Sequence, residues 1–357
     1  MVMVYVHKDI PRRYLQFLEL LLVIFLSNSQ VLQAGGSTNH NQTVGTKGIT
    51  DNNNENGYYD VQRPTIYTYF ERIDVANRTT GMSNDDDDSL LRFWKERWED
   101  AGYLPVVLTT KDASLQRVIS NAEIKEYEDE DEQYLTKSRY DTIQSKLDAL
   151  RLDDFSRVTF RKWIAMAAVG GGWFSDYDNF PLPCLYRKYG GDTIQEELPN
   201  EGRMTVHDII SPTLASGSGK EWIYTLEALL DDANDHCHQT KSSISYDRYH
   251  YFDCFYTDSL AIHSLRSNNH KLTPRTTRFV TAPFDKNDPV SFDDSELCSA
   301  KSFAGKWTVH FGPEILQRGR YVPPKDRLPK HRFKLAKDWL DQYEILCSTT
   351  THTSARH

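Results

Sequence analysis

The residues of this chain best suited to chemistry are two carboxylates one residue apart, in the run Asp176-Tyr177-Asp178. They follow an apolar stretch, Trp163-Ile164-Ala165-Met166-Ala167-Ala168-Val169, and three glycines at 170–172. In extended chain, residues two apart point the same way, so Asp176 and Asp178 are expected to share a face. Paired carboxylates at the carboxyl end of a strand, in the crevice where α/β folds bind ligands, suit a hydrated Mg or Mn ion carrying a diphosphate. Aspartate pairs of the same form occur at Asp86/Asp88 and Asp129/Asp131, where they read as solvated acidic runs. What distinguishes Asp176 and Asp178 is that the most apolar part of the mature chain delivers them. Carboxylates brought toward an apolar interior need a cation or a partner to offset lost hydration.

The elements that must position this pair can be traced from periodicity. Phe160, Trp163, Ile164 and Ala167 recur at helical spacing, with Asp154 expected as the cap and the glycines as the stop. Upstream, 65–70 reads as a first strand. A helix follows from the acidic run 85–88, with Leu90, Leu91, Phe93, Trp94 and Trp98 on its apolar face, and 104–108 reads as a second strand. Strand, helix, strand implies a βαβ unit and a parallel sheet. Residues 116–152 are charged and largely helical, with the acidic run 123–132 a solvated face. Met204-Thr205-Val206 is a further strand, and Ser216-Gly217-Ser218-Gly219 a connector into an amphipathic helix at 221–230, with an anion at the helix start as the alternative. Aromatic residues at 246–258 are expected in the core. Lys306 to Pro313 reads as a late strand carrying His310, and 330–347 as a final helix burying Phe333, Ala336, Leu340 and Tyr343.

The chain has 357 residues and a net charge of −9, which argues against general nucleic-acid binding. Residues 1–34 have the layout of a signal peptide or signal anchor: Lys8, Arg12 and Arg13 precede a short apolar run at 15–26. Either form sends the remainder into the secretory lumen, and an uncleaved anchor would hold it at the membrane. Residues 35–62, poor in aliphatic side chains, read as a flexible stem, 63–347 as the catalytic domain, and 348–357 as an unstructured tail. In a lumenal protein Asn41 and Asn77 are glycosylation acceptors. Five cysteines lack metal-site spacing, and an oxidising lumen would allow one or two disulfides. His236-Cys237-His238 has no second cysteine pair to complete a zinc site.

A helix, Gly171-Gly172, the aromatic pair Trp173-Phe174, Asp176-Tyr177-Asp178 and Pro181-Leu182 together resemble the signature of the DXD-containing glycosyltransferases. That group includes the fungal initiating mannosyltransferases, the animal glycolipid galactosyltransferases and, more distantly, the glucosylating clostridial toxins. The match covers about 25 residues, and the layout of basic N-terminus, apolar segment, stem and lumenal domain is similar to that of Golgi transferases. The resemblance implies a GT-A-like, Rossmann-type α/β fold with a mostly parallel sheet flanked by helices. It also implies a nucleotide-sugar donor, a glycan, glycoprotein or glycolipid acceptor, and a Mn or Mg ion. On it, Asp178 would ligate the metal and Asp176 the metal or the donor's ribose and sugar. Tyr177 would lie against the substrate, and His310 would be a third metal ligand. The arginine that the group carries on the preceding helix falls here at Trp163, so Arg161 is the expected donor-contacting cation. A bound cation would neutralise the leaving diphosphate. The rival readings are another metal-dependent phosphate-handling enzyme, such as a nucleotidyltransferase or phosphodiesterase, and an inactive lumenal binding protein on the same scaffold.

Overall fold

Alternation along the first strand sets up a sheet buried on both faces. In β1 (Thr65–Tyr69), Ile66 enters one apolar cluster while Tyr67 and Tyr69 enter another, and in β3 (Gly171–Ser175) Trp173 and Phe174 divide in the same way. The computed structural model describes residues 63–73, 82–118, 135–182, 198–208, 211–241, 254–268, 270–277, 279–281, 306–312 and 331–353, all within one unit spanning Val61–His357. The leader, the stem and both acceptor asparagines, Asn41 and Asn77, lie outside the described residues. Among the described residues no helix is long and apolar enough to cross a membrane.

The fold is mixed α/β with a mostly parallel six-stranded sheet flanked by helices. Its remaining strands are β2 (Leu104–Leu108), β5 (Thr205–Val206), β6 (Leu214–Ser218) and β7 (Arg275–Thr276), in the order β2-β1-β3-β6-β5-β7. Only β6 runs against its neighbours. A second, three-stranded sheet joins β4 (Asn179–Pro181), β9 (Thr308–His310) and β8 (Val280–Thr281), in that order.

One face of the main sheet is covered by α1 (Asn84–Asp100) and α6 (Arg332–Thr353). The acidic run opens α1 as expected, with Ser83 and Asp86 forming a reciprocal capping box. The other face carries α2 (Lys137–Ala149), α3 (Asp154–Ala168), α4 (Gly219–Lys241) and α5 (Asp258–Ser267). Three expectations change. The cap of α3 is Asp153, which takes the extended conformation and accepts from Ser156 N, so Asp154 falls in the first turn. Residues 216–218 form part of β6, a central strand, with the helix beginning at Gly219. The final helix runs past Cys347 to Thr353, into the stretch expected as an unstructured tail. Cys237 is joined to Cys254 by a disulfide, one of the one or two expected.

Candidate active site

The site begins with the packing of β3 against β6. Gly171 has φ +82°, and a Cβ placed there would lie 2.6 Å from Gly219 N and from Ser218 C. Only glycine allows that approach, which explains why β6 facing it is built of Ser216, Gly217 and Ser218. Buried α3 and paired β3 then deliver Asp176 just beyond the carboxyl end of the strand. Its N–H donates to Thr213 O at 2.8 Å, and its carbonyl accepts from Asn179 N at 3.0 Å. The chain therefore turns at 176–178 and re-enters the second sheet as β4.

At this turn the two carboxylates take different partners. Asp176, 27% exposed at its side chain, has Lys162 Nζ of α3 at 3.5 Å. That ammonium also contacts Asp258 Oδ2 at 2.8 Å, and Trp163 Nε1 donates to the same oxygen at 2.9 Å. Burial pushes Lys162 down, but Asp176 and Asp258 outweigh it, and its pKa ends above the ordinary lysine value. Asp178 is buried and faces the other way in its contacts: its Oδ2 is ion-paired with Arg332 Nη2 and lies 3.3 Å from His310 Nε2. The pairing of β4 with β9 accounts for the histidine, since Asn179 is opposite His310 and Phe311 N donates to Asp178 O at 2.8 Å. Arg332 is buried, donating also from Nε to Phe311 O at 2.6 Å and from Nη1 to Met82 Sδ at 3.6 Å. Burial lowers its pKa while Tyr177, Asp87 and Asp176 oppose the shift; a guanidinium stays charged throughout. Tyr177 is half-buried, edge-on to Phe70 and beneath Arg332.

Beyond the carboxyl end of β1, next to β3, lies a cleft of about 460 Å³. Arg72, Arg151, Arg157 and Arg161 line it, with Glu71, Asp148 and Asp154 among them. Arg161 is ion-paired with Glu71, which also accepts from Tyr69 Oη at 2.8 Å, and Arg157 donates to Asp148 at 3.0 Å. The expected donor-contacting cation thus reaches the cleft, while Lys162, its neighbour, is the cation of the aspartate turn. Trp163, at the register where the resembled group has arginine, is fully buried.

Of the expected metal ligands, the structure brings Asp178 and His310 together and places Lys162 against Asp176. Among the described residues no group of three or more His, Cys, Asp or Glu is placed to hold a metal ion. With a guanidinium on the same oxygen that faces His310, a divalent cation does not fit at Asp178. Of the residues found here, sequence reasoning named Arg161 and passed over Asp258, Arg332 and the other cleft arginines, Arg72, Arg151 and Arg157, and it gave Lys162 no role. Lys162 carried a usable signal, as a lysine entering an apolar helical run; Asp258 and Arg332 come from distant segments and carried none. Compared with known proteins, the chain matches no family model, no curated protein and no solved structure.

Proposed function

We propose that the chain is a glycosyltransferase of the secretory pathway with a GT-A-like fold, moving a sugar from a nucleotide-sugar donor to a glycan, protein or lipid acceptor. One observation carries the reading. An arginine-lined cleft and a partly exposed aspartate turn lie at the carboxyl ends of adjacent parallel strands, the part of an open α/β sheet where ligands bind. Arginines recognise phosphate oxygens with a planar, two-donor fork. The cleft then takes the anionic part of the donor. Asp176, the more exposed of the pair, accepts hydrogen bonds from donor hydroxyl groups, and Tyr177 packs beside it. The Cys237–Cys254 disulfide accords with an oxidising lumen. Hydrolysis of a panel of nucleotide sugars by purified protein tests the proposal: release of a nucleoside diphosphate from one donor is expected, and no turnover of any donor, with no binding, would sink it.

The second reading, an inactive binding protein, is favoured by the resident cations on both aspartates. Binding of a nucleotide sugar without hydrolysis or transfer would select it.

A further inference from the structure

Arg332 is the first residue of α6, where the helix dipole disfavours positive charge, and its guanidinium is 3% exposed. A buried cation at that end of a helix requires a dedicated anion. Asp178 is that anion, itself 5% exposed, and the three guanidinium nitrogens are used by Asp178, Phe311 and Met82. On the other side of the turn, Lys162 is held between Asp176 and Asp258. Both carboxylates of the turn therefore have a cation of this chain against them, one from α3 and one from α6.

We infer that Asp176 and Asp178 bind no divalent cation, and that Lys162 and Arg332 take the place such an ion would fill. The counter-charge for a bound diphosphate then has to come from the arginines of the adjacent cleft, in competition with Glu71, Asp148 and Asp88, which already hold Arg161, Arg157 and Arg72. The inference rests on the transferase reading for its ligand, but its electrostatic core concerns this chain alone. Asp178 is a positioning residue: it anchors Arg332 and so fixes α6 against the turn. A cation arriving at Asp178 would meet a guanidinium already in contact with the same oxygen, and like charges at that distance repel.

Electron paramagnetic resonance of Mn²⁺ added to the full chain tests this without any donor. The wild-type protein is expected to leave the free Mn²⁺ signal unchanged at the site. Arg332→Met, which empties the guanidinium position while keeping Asp178 and His310, is expected to lower the free Mn²⁺ signal saturably, a gain of binding where wild type shows none. A purely structural role for Arg332 would not produce that gain. Wild-type Mn²⁺ binding that Asp178→Asn abolishes overturns the inference, as does a folded Arg332→Met that gains none. Should Arg332→Met fail to fold, titration of wild type with UDP and GDP decides: equal affinity in EDTA and in Mn²⁺ supports the inference, and binding only with Mn²⁺ overturns it. If neither nucleotide binds in either condition, the transferase reading falls, while the wild-type Mn²⁺ signal with its Asp178→Asn control still decides the charge inference.

Discussion

Replacing Lys162 with Met should uncover how strongly the aspartate turn depends on its internal charges. Lys162 Nζ lies 2.8 Å from Asp258 Oδ2, with side-chain exposures of 10% and 2%. At an effective dielectric of about 20, that separation corresponds to about 6 kcal/mol of attraction. Desolvation of both ions offsets much of it, and Asp176, more exposed and at 3.5 Å, adds a smaller share. Methionine keeps the length and apolar stem of lysine, so the main loss is the charge. Asp258 would be left buried with the neutral donors Trp163 Nε1, Ser259 N and Ser259 Oγ against it and no cation. Breaking one side of such a pair costs about 3–5 kcal/mol. The assay is urea unfolding of wild type, Lys162→Met, Asp258→Asn and the double variant. Each single change should lower stability by about 3–5 kcal/mol, and the double variant should recover about 2–3 kcal/mol relative to their sum. A cost below about 1 kcal/mol for Lys162→Met, or additive losses, would show that Lys162 and Asp258 are not coupled in the folded protein.

Three further outcomes follow from other parts of the fold. His207 is fully buried, stacked on Trp173, Phe279 and Trp307, and burial pushes its pKa from 6.5 down to about 3. The unfolded chain therefore binds a proton that the folded one refuses, and stability falls as pH drops below 6.5. The slope is up to about 1.4 kcal/mol per pH unit, or about 2 kcal/mol lost by about pH 5, and a His207→Gln variant should lose this slope in urea titrations at successive pH values. Gly171→Ala should cost about 3 kcal/mol or more, through its positive φ and the clash with β6, and a near-neutral melting temperature would contradict the close strand approach. Cys237→Ser opens a disulfide of sequence separation 17 and should lower stability by about 3 kcal/mol, while an unchanged melting temperature under reducing conditions would contradict its contribution.

Much of the scaffold was legible because its signals are local. The apolar periodicity of α1 and α3, the strands β1 and β2, the glycine stop and the late strand with His310 all follow from residues close together in sequence. β6 was not legible, because its small residues exist to admit the glycines of β3 and so mimic a connector. The two-residue strands β7 and β8 are too short to show an alternation. In the site, the proximity of Asp178 and His310 was anticipated from the resemblance, and the pairing of β4 with β9 gives it a physical basis. The partners of the aspartates were hidden for a different reason. Asp258 pairs with Lys162 across 96 residues and Arg332 with Asp178 across 154 (258 − 162 and 332 − 178), and no local pattern encodes such ion pairs.

On the proposed function, the crevice beside Asp176 receives a nucleoside diphosphate through the cleft arginines. Calorimetric titration of the full chain with UDP and with GDP, repeated on Arg157→Gln, tests it most directly. Saturable binding of one nucleotide to wild type is expected, with a loss of about tenfold or more in the variant, the effect of about 1.4 kcal/mol from one charge-assisted contact. Absence of binding by both nucleotides, or equal affinity in wild type and Arg157→Gln, would contradict it.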